Sequence, residues 1–144
     1  MAAILIVDDE AEIRDLMRRV LVREGHRVDT AVHGALALEA VATRPYDLVI
    51  SNVRMPVMDG PTFYARAREV DPRLASRFVF CTGDIVSLAV RTFLLSANRP
   101  VLAKPFSISS LRELVRRILE DPLNPRFSVT PQLEEAFAGL SYLG

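Results

Sequence analysis

The chain has one cysteine, Cys81, so an internal disulfide framework is excluded and a reducing compartment fits. It has no surplus of either charge, with Lys plus Arg and Asp plus Glu at 18 each. Without a basic excess, neither nucleic acid nor an anionic membrane surface is an expected partner. No apolar run is long enough to cross a bilayer. The amino terminus, Met-Ala-Ala-Ile-Leu-Ile-Val-Asp-Asp-Glu, has no basic lead and meets acids directly after Ile4 to Val7, which reads as a strand and not as a signal peptide. No glycine-rich phosphate loop follows that strand, which argues against a nucleotide or flavin binder. There is also no low-complexity segment and no fixed-period repeat. A cytoplasmic chain with no membrane contact is the expectation.

What is present is an alternation of strand and helix signals. At 144 residues the chain matches one domain, since domains commonly run about 100 to 150 residues. Ile4 to Val7 is an apolar strand ending in Asp8, Asp9 and Glu10. A helix follows with Ile13, Leu16, Met17, Val20 and Leu21 on one stripe, until Gly25 stops it. Arg27 to Val32 is a shorter strand, and Gly34 to Thr43 an alanine-rich helix closed by Arg44-Pro45. In the next strand, Asp47 to Asn52, Leu48-Val49-Ile50 is a continuous apolar run, as expected of a strand buried on both faces. Met55-Pro56 and Gly60-Pro61 then turn the chain into a helix over 61–70, with Gly60 its cap and Pro61 in its first turn. Phe78 to Thr82 leads to an unusually apolar helix from about Asp84 to Ser96. Val101 to Lys104 leads to a helix bearing Leu111, Leu114, Val115, Ile118 and Leu119. Five such alternations imply an α/β fold: a five-stranded parallel sheet with helices on both faces.

Residues 1–120 form this domain, and the composition changes after Glu120. Asp121-Pro-Leu-Asn-Pro125 is a helix-breaking linker, and Thr130-Pro131 with Glu134-Glu135 is a helix start. Residues 121–144 are therefore expected to be a linker and a short C-terminal helix. Its stripe of Leu133, Phe137 and Leu140 needs a surface, either this domain or a partner.

In an open parallel sheet, ligands bind outside the carboxyl ends of the strands. The reactive side chains fall there: Asp8 and Asp9 after the first strand, Asn52 at the end of the third, Thr82 of the fourth and Lys104 of the fifth. Paired carboxylates are hard oxygen ligands suited to magnesium, which keeps waters free for phosphate oxygens. A hydroxyl and an ammonium beside such a metal suit a phosphoryl group.

Val-Asp-Asp-Glu at 7–10, Met-Pro-Val-Met-Asp-Gly at 55–60, Thr82-Gly83 and Lys104-Pro105-Phe106 together resemble the receiver domain of two-component response regulators, over residues 2 to about 120. The resemblance implies a (βα)5 flavodoxin-like fold. It also implies magnesium held by Asp8, Asp9 and the backbone carbonyl of Arg54, with Thr82 and Lys104 sensing the phosphoryl group. Lys104-Pro105 would share the family's cis peptide. The implied partners are a sensor histidine kinase or phosphotransfer protein, with a homodimer through the fourth helix or the C-terminal helix as a further contact.

Two departures stand out. The residue three before Met55-Pro56, in the family the phosphoaccepting aspartate, is Asn52, whose uncharged amide is a poor nucleophile. With one negative charge removed, magnesium at Asn52 should bind more weakly. Asn52 is either natural or an engineered block, and the intact Asp8, Asp9, Thr82 and Lys104 favour a recent or deliberate change. At the family's aromatic switch position stands Val101. The expected function is a non-enzymatic phosphorelay receiver acting by protein contact, its output passing through a partner, dimerisation or a domain absent from this chain. The alternative, a magnesium-dependent phosphatase on a similar sheet, typically begins Asp-x-Asp after the first strand, where this chain has Glu10 at the third position.

For single residues the expectations are plainer. Cys81 belongs to the core, His26 and His33 are exposed loop residues, and Arg14, Arg18, Arg19, Arg112, Arg116 and Arg117 are solvated helix faces. In the fourth helix Leu88 and its neighbours either pack inside or form a contact face.

Overall fold

The structure, a computed structural model, describes residues 1–84 and 86–122. The expected C-terminal helix lies outside these residues. Five strands, β1 (Ala3–Val7), β2 (Arg27–Ala31), β3 (Leu48–Asn52), β4 (Phe78–Thr82) and β5 (Val101–Ala103), alternate with α1 (Ala11–Arg23), α2 (Gly34–Thr43), α3 (Gly60–Val70), α4 (Leu88–Ala97) and α5 (Ile108–Glu120). A short 3-10 helix, Pro72–Ser76, precedes β4. All strand pairs are parallel, in the order β2-β1-β3-β4-β5.

Strand side chains alternate between the two faces, and each face becomes a separate core. Leu5 and Val7 of β1 pack with α2, α3 and α4, through Ala37, Phe63, Tyr64, Val90 and Leu94. Ile4 and Ile6 pack on the other face with α1 and α5, through Met17, Leu21, Leu111, Val115 and Ile118. Each Val, Leu, Ile, Phe or Met among them, buried fully, contributes about 1.5–3 kcal/mol. The first face is aromatic: Tyr64 stands edge-on to Phe78 and Phe80, and Phe80 edge-on to Phe93 of α4. Val101 is buried beside Phe80 in register. Cys81 is fully buried in the opposite core, and burial pushes its thiol up to about 12.

Several boundaries differ from the sequence expectation. α4 begins at Leu88, capped by Ser87, not near Asp84, because Asp84 is spent on a turn that accepts the Ser87 N–H. Leu88 points outward with Val86 and Leu95, while Val90 and Leu94 face the core, so of the two expectations for Leu88 the inward packing is not what occurs. Asp59, not Gly60, caps α3: its carboxylate accepts the Thr62 N–H at 2.9 Å. Gly60 answers a different need, since a Cβ there would lie 2.5 Å from the Asn52 carbonyl oxygen. The histidines are half-buried acceptors rather than exposed loop residues. Nδ1 of His26 accepts from the Ala2 N–H, and Nδ1 of His33 caps α2 at Leu36.

Candidate functional site

β1, β3, β4 and β5 end at the same rim, so parallel pairing brings Asp8, Asp9, Asn52, Thr82 and Lys104 together. Asp9, Asn52, Thr82 and Lys104 line a cleft of about 480 Å³, and Arg54, Asp84 and Glu10 complete its wall. Asp8, Asn52 and Thr82 are buried; Asp9 and Glu10 are exposed.

Every polar side chain at the base of this cleft is hydrogen-bonded. Asp8 Oδ1 accepts the Glu10 N–H at 2.9 Å, and Oδ2 accepts from Lys104 Nζ at 2.9 Å. Lys104 Nζ also donates to Glu10 Oε1 at 3.2 Å. Burial alone would push the Lys104 ammonium down. The Asp8 hydrogen bond and charge, with the Glu10 hydrogen bond, outweigh it and hold the ammonium above its usual value. The peptide Lys104-Pro105 is cis. Arg14, read from the sequence as solvated, is half-buried and donates to the Asp8 carbonyl at 2.8 Å.

Asn52 sits between two acceptors. Its Nδ2 donates to Asp9 Oδ1 at 3.1 Å and to the Arg54 carbonyl at 3.0 Å. Turned over, the amide would set its own oxygen against both acceptors, so hydrogen bonding fixes its orientation. Thr82 Oγ1 accepts the Asp84 N–H at 3.0 Å. Among the described residues no three His, Cys, Asp or Glu side chains form a group that could hold a metal ion. A cation here would rest on two carboxylates and a backbone carbonyl.

The structure adds residues that the strand-end pattern had not singled out. Glu10 shares Lys104 with Asp8. The Arg54 guanidinium reaches over the cleft to Asp84 Oδ2 at 3.0 Å and Ser87 Oγ at 3.1 Å. One signal was present: Asp84 and Ser87 are spaced as a turn acceptor and a helix cap, the types that start helices.

The family described as the response regulator receiver domain matches residues 4–116 of this chain. The chain belongs to that family. Receiver domains are signalling modules that bind magnesium in the active site and interact with histidine kinases and phosphotransfer proteins. The response regulator receiver protein CpdR of Brucella abortus is 32% identical over 118 residues, 82% of this chain and 94% of its own length. The sensor kinase CckA of the same organism is 35% identical over 121 residues, 83% of this chain, which spans only 13% of the kinase. Among solved structures, the receiver domain of the sensor histidine kinase PA1611 from Pseudomonas aeruginosa, with magnesium in its active-site cleft, superposes with a TM-score of 0.76 at 22% identity. That match covers 83% of this chain and 98% of the other. The receiver fold, a parallel (βα)5 sheet in the flavodoxin-like manner, is thus common to both.

Proposed function

We propose that this chain is a receiver module blocked at its phosphoacceptor position by Asn52, signalling by protein contact and not by turnover. The observation that carries the reading is the placement of the Asn52 amide, buried at the end of β3 with its nitrogen between Asp9 and the Arg54 carbonyl. Phosphoryl transfer needs a carboxylate oxygen that attacks phosphorus while the donor's leaving group departs. An amide nitrogen has its lone pair delocalised and both protons engaged here, and so offers none.

Magnesium, when bound in a receiver, neutralises phosphoryl oxygens and orients them. Asp8, Asp9 and the Arg54 carbonyl are the residues that would hold it. Their chemistry fits, but Asp8 is engaged by Lys104, and Asp9 and Arg54 by Asn52. Asn52 would contribute an oxygen only by turning its amide over and losing both bonds, which supports weak binding. In this reading Thr82 and Lys104 keep the phosphoryl-sensing positions, and Val101 leaves the aromatic switch position without a ring. The domain spans residues 1–120, works in the cytoplasm, and meets a histidine kinase or phosphotransfer protein. The exposed Val86, Leu88 and Leu95 support a further contact, such as a homodimer, through α4.

The test is intact mass after treatment with acetyl phosphate and magnesium, on this chain and on Asn52→Asp in parallel. The expected outcome is no adduct on this chain and one phosphoryl group on the variant. A stable stoichiometric adduct on this chain overturns the reading.

A further inference from the structure

Asn52 and α4 are joined through Arg54. The Arg54 carbonyl accepts from Asn52, and the Arg54 guanidinium bonds Asp84 and Ser87. Ser87 is the N-cap of α4, its hydroxyl facing the Val90 N–H at 3.5 Å and its own N–H donating to Asp84 Oδ1 at 3.0 Å. The Thr82 hydroxyl accepts the Asp84 N–H. One side chain therefore ties the loop after β3 to the first turn of the helix that carries the exposed apolar residues. Lower down, Phe93 fixes the same helix to the sheet through an edge-on contact with Phe80 at 4.9 Å, where Val101 leaves no ring to compete.

We propose that Arg54 is a latch that holds α4 in one fixed position, linking the Asn52 loop to the helix cap through Asp84 and Ser87. The module thereby presents a constant α4 surface instead of switching between two. This rests on the reading of position 52 given above, because a working phosphoacceptor would give α4 a second state to move to. Arg54 acts here as a positioning residue. Its pairing with Asp84 is about half solvated, with side chains 64% and 42% exposed, so it is open to screening by salt.

The experiment is amide hydrogen exchange on the full chain, comparing the parent with Arg54→Met, Asp84→Asn and the double variant. Arg54→Met keeps the aliphatic stem and removes the charge and donors. The Val90 and Arg91 amides, which close the first turn of α4, are expected to exchange about fivefold faster in either single variant, the ratio that matches an exposed pair of about 1 kcal/mol. The double variant is expected to be no faster than Arg54→Met alone, which already removes the bonds to both Asp84 and Ser87. At 1 M salt the parent should approach the variants, while Leu36, in the separately capped first turn of α2, keeps its rate throughout. Unchanged rates at Val90 and Arg91 in Arg54→Met, or fully additive acceleration in the double variant, overturn the latch. A phosphoryl adduct on the parent, read separately by mass, would strike the reading of position 52 and not the exchange rates.

Discussion

At the carboxyl ends of β3 and β5 the Asn52 amide nitrogen and the Lys104 ammonium each have two hydrogen-bond partners, whereas on the loop before β5 the buried Nη2 of Arg99 has none among the described residues. Arg99 spends its Nε on the Phe78 carbonyl at 3.0 Å. Burial holds its guanidinium below the usual arginine value, and the nearby Tyr64 only partly opposes this. Both regions bury polar groups in the same sheet, so polarity alone does not separate them. The difference lies in completion: a closed network returns in hydrogen bonds what desolvation costs, and an open one does not.

Opening the closed network should have the largest effect. Lys104→Met leaves Asp8, which is fully buried, without its ammonium. A loss of about 3 kcal/mol in urea denaturation is the expected result, as for other buried pairs deprived of one partner. Asn52→Asp comes next. In chelator it exchanges two hydrogen bonds for a carboxylate facing Asp9, at a cost of about 2 kcal/mol. Magnesium should recover most of that loss by mass action while moving the parent's midpoint little. Equal magnesium responses in both chains would show that the Asn52 amide does not occupy the cation's ligands.

The open region should answer in the other direction. Arg99→Met removes the unpartnered donor and is expected to change stability by less than about 1 kcal/mol, with stabilisation the expected sign. A loss comparable to that of Lys104→Met would end the contrast. The smallest effect belongs to His26, which burial, then the amino-terminal charge, hold below its ordinary 6.5, with Glu24 and Asp47 pulling the other way. The unfolded chain then binds the proton more readily than the folded one. Stability is full above pH 6.5 and declines as pH falls through the lower folded value. The dip should disappear in His26→Gln, measured by thermal melts across pH 5 to 8, a window of roughly that width bracketing the unperturbed imidazole.

Most of the architecture was legible because strand and helix periods differ and both are strong here. Leu48-Val49-Ile50 read as a strand buried on two faces and Phe78 to Thr82 as a strand, and the α1 and α5 stripes as helices packed on one face. Parallel order then placed Asp8, Asn52, Thr82 and Lys104 at one rim. The start of α4 was not legible, because Val86 and Leu88 are apolar yet exposed and extended the helical signal backward through a turn. Nor was the Arg54 guanidinium: periodicity locates side chains within elements, and this one acts between two loops. Arg99 gave no signal, since an unpaired donor is a property of surroundings and not of sequence.

The ion pair between Lys104 and Asp8 joins residues 96 positions apart. β1 can pair with β2 and β3 from the first 52 residues alone, but Lys104 arrives with the last strand, at the far edge of the sheet. Closing so long a loop is entropically late, so the cleft is completed only when the rest of the fold is in place. During synthesis, Asp8 waits without its counter-ion until β5 has left the ribosome. A partner that reads this rim therefore meets side chains delivered by four different strands at once.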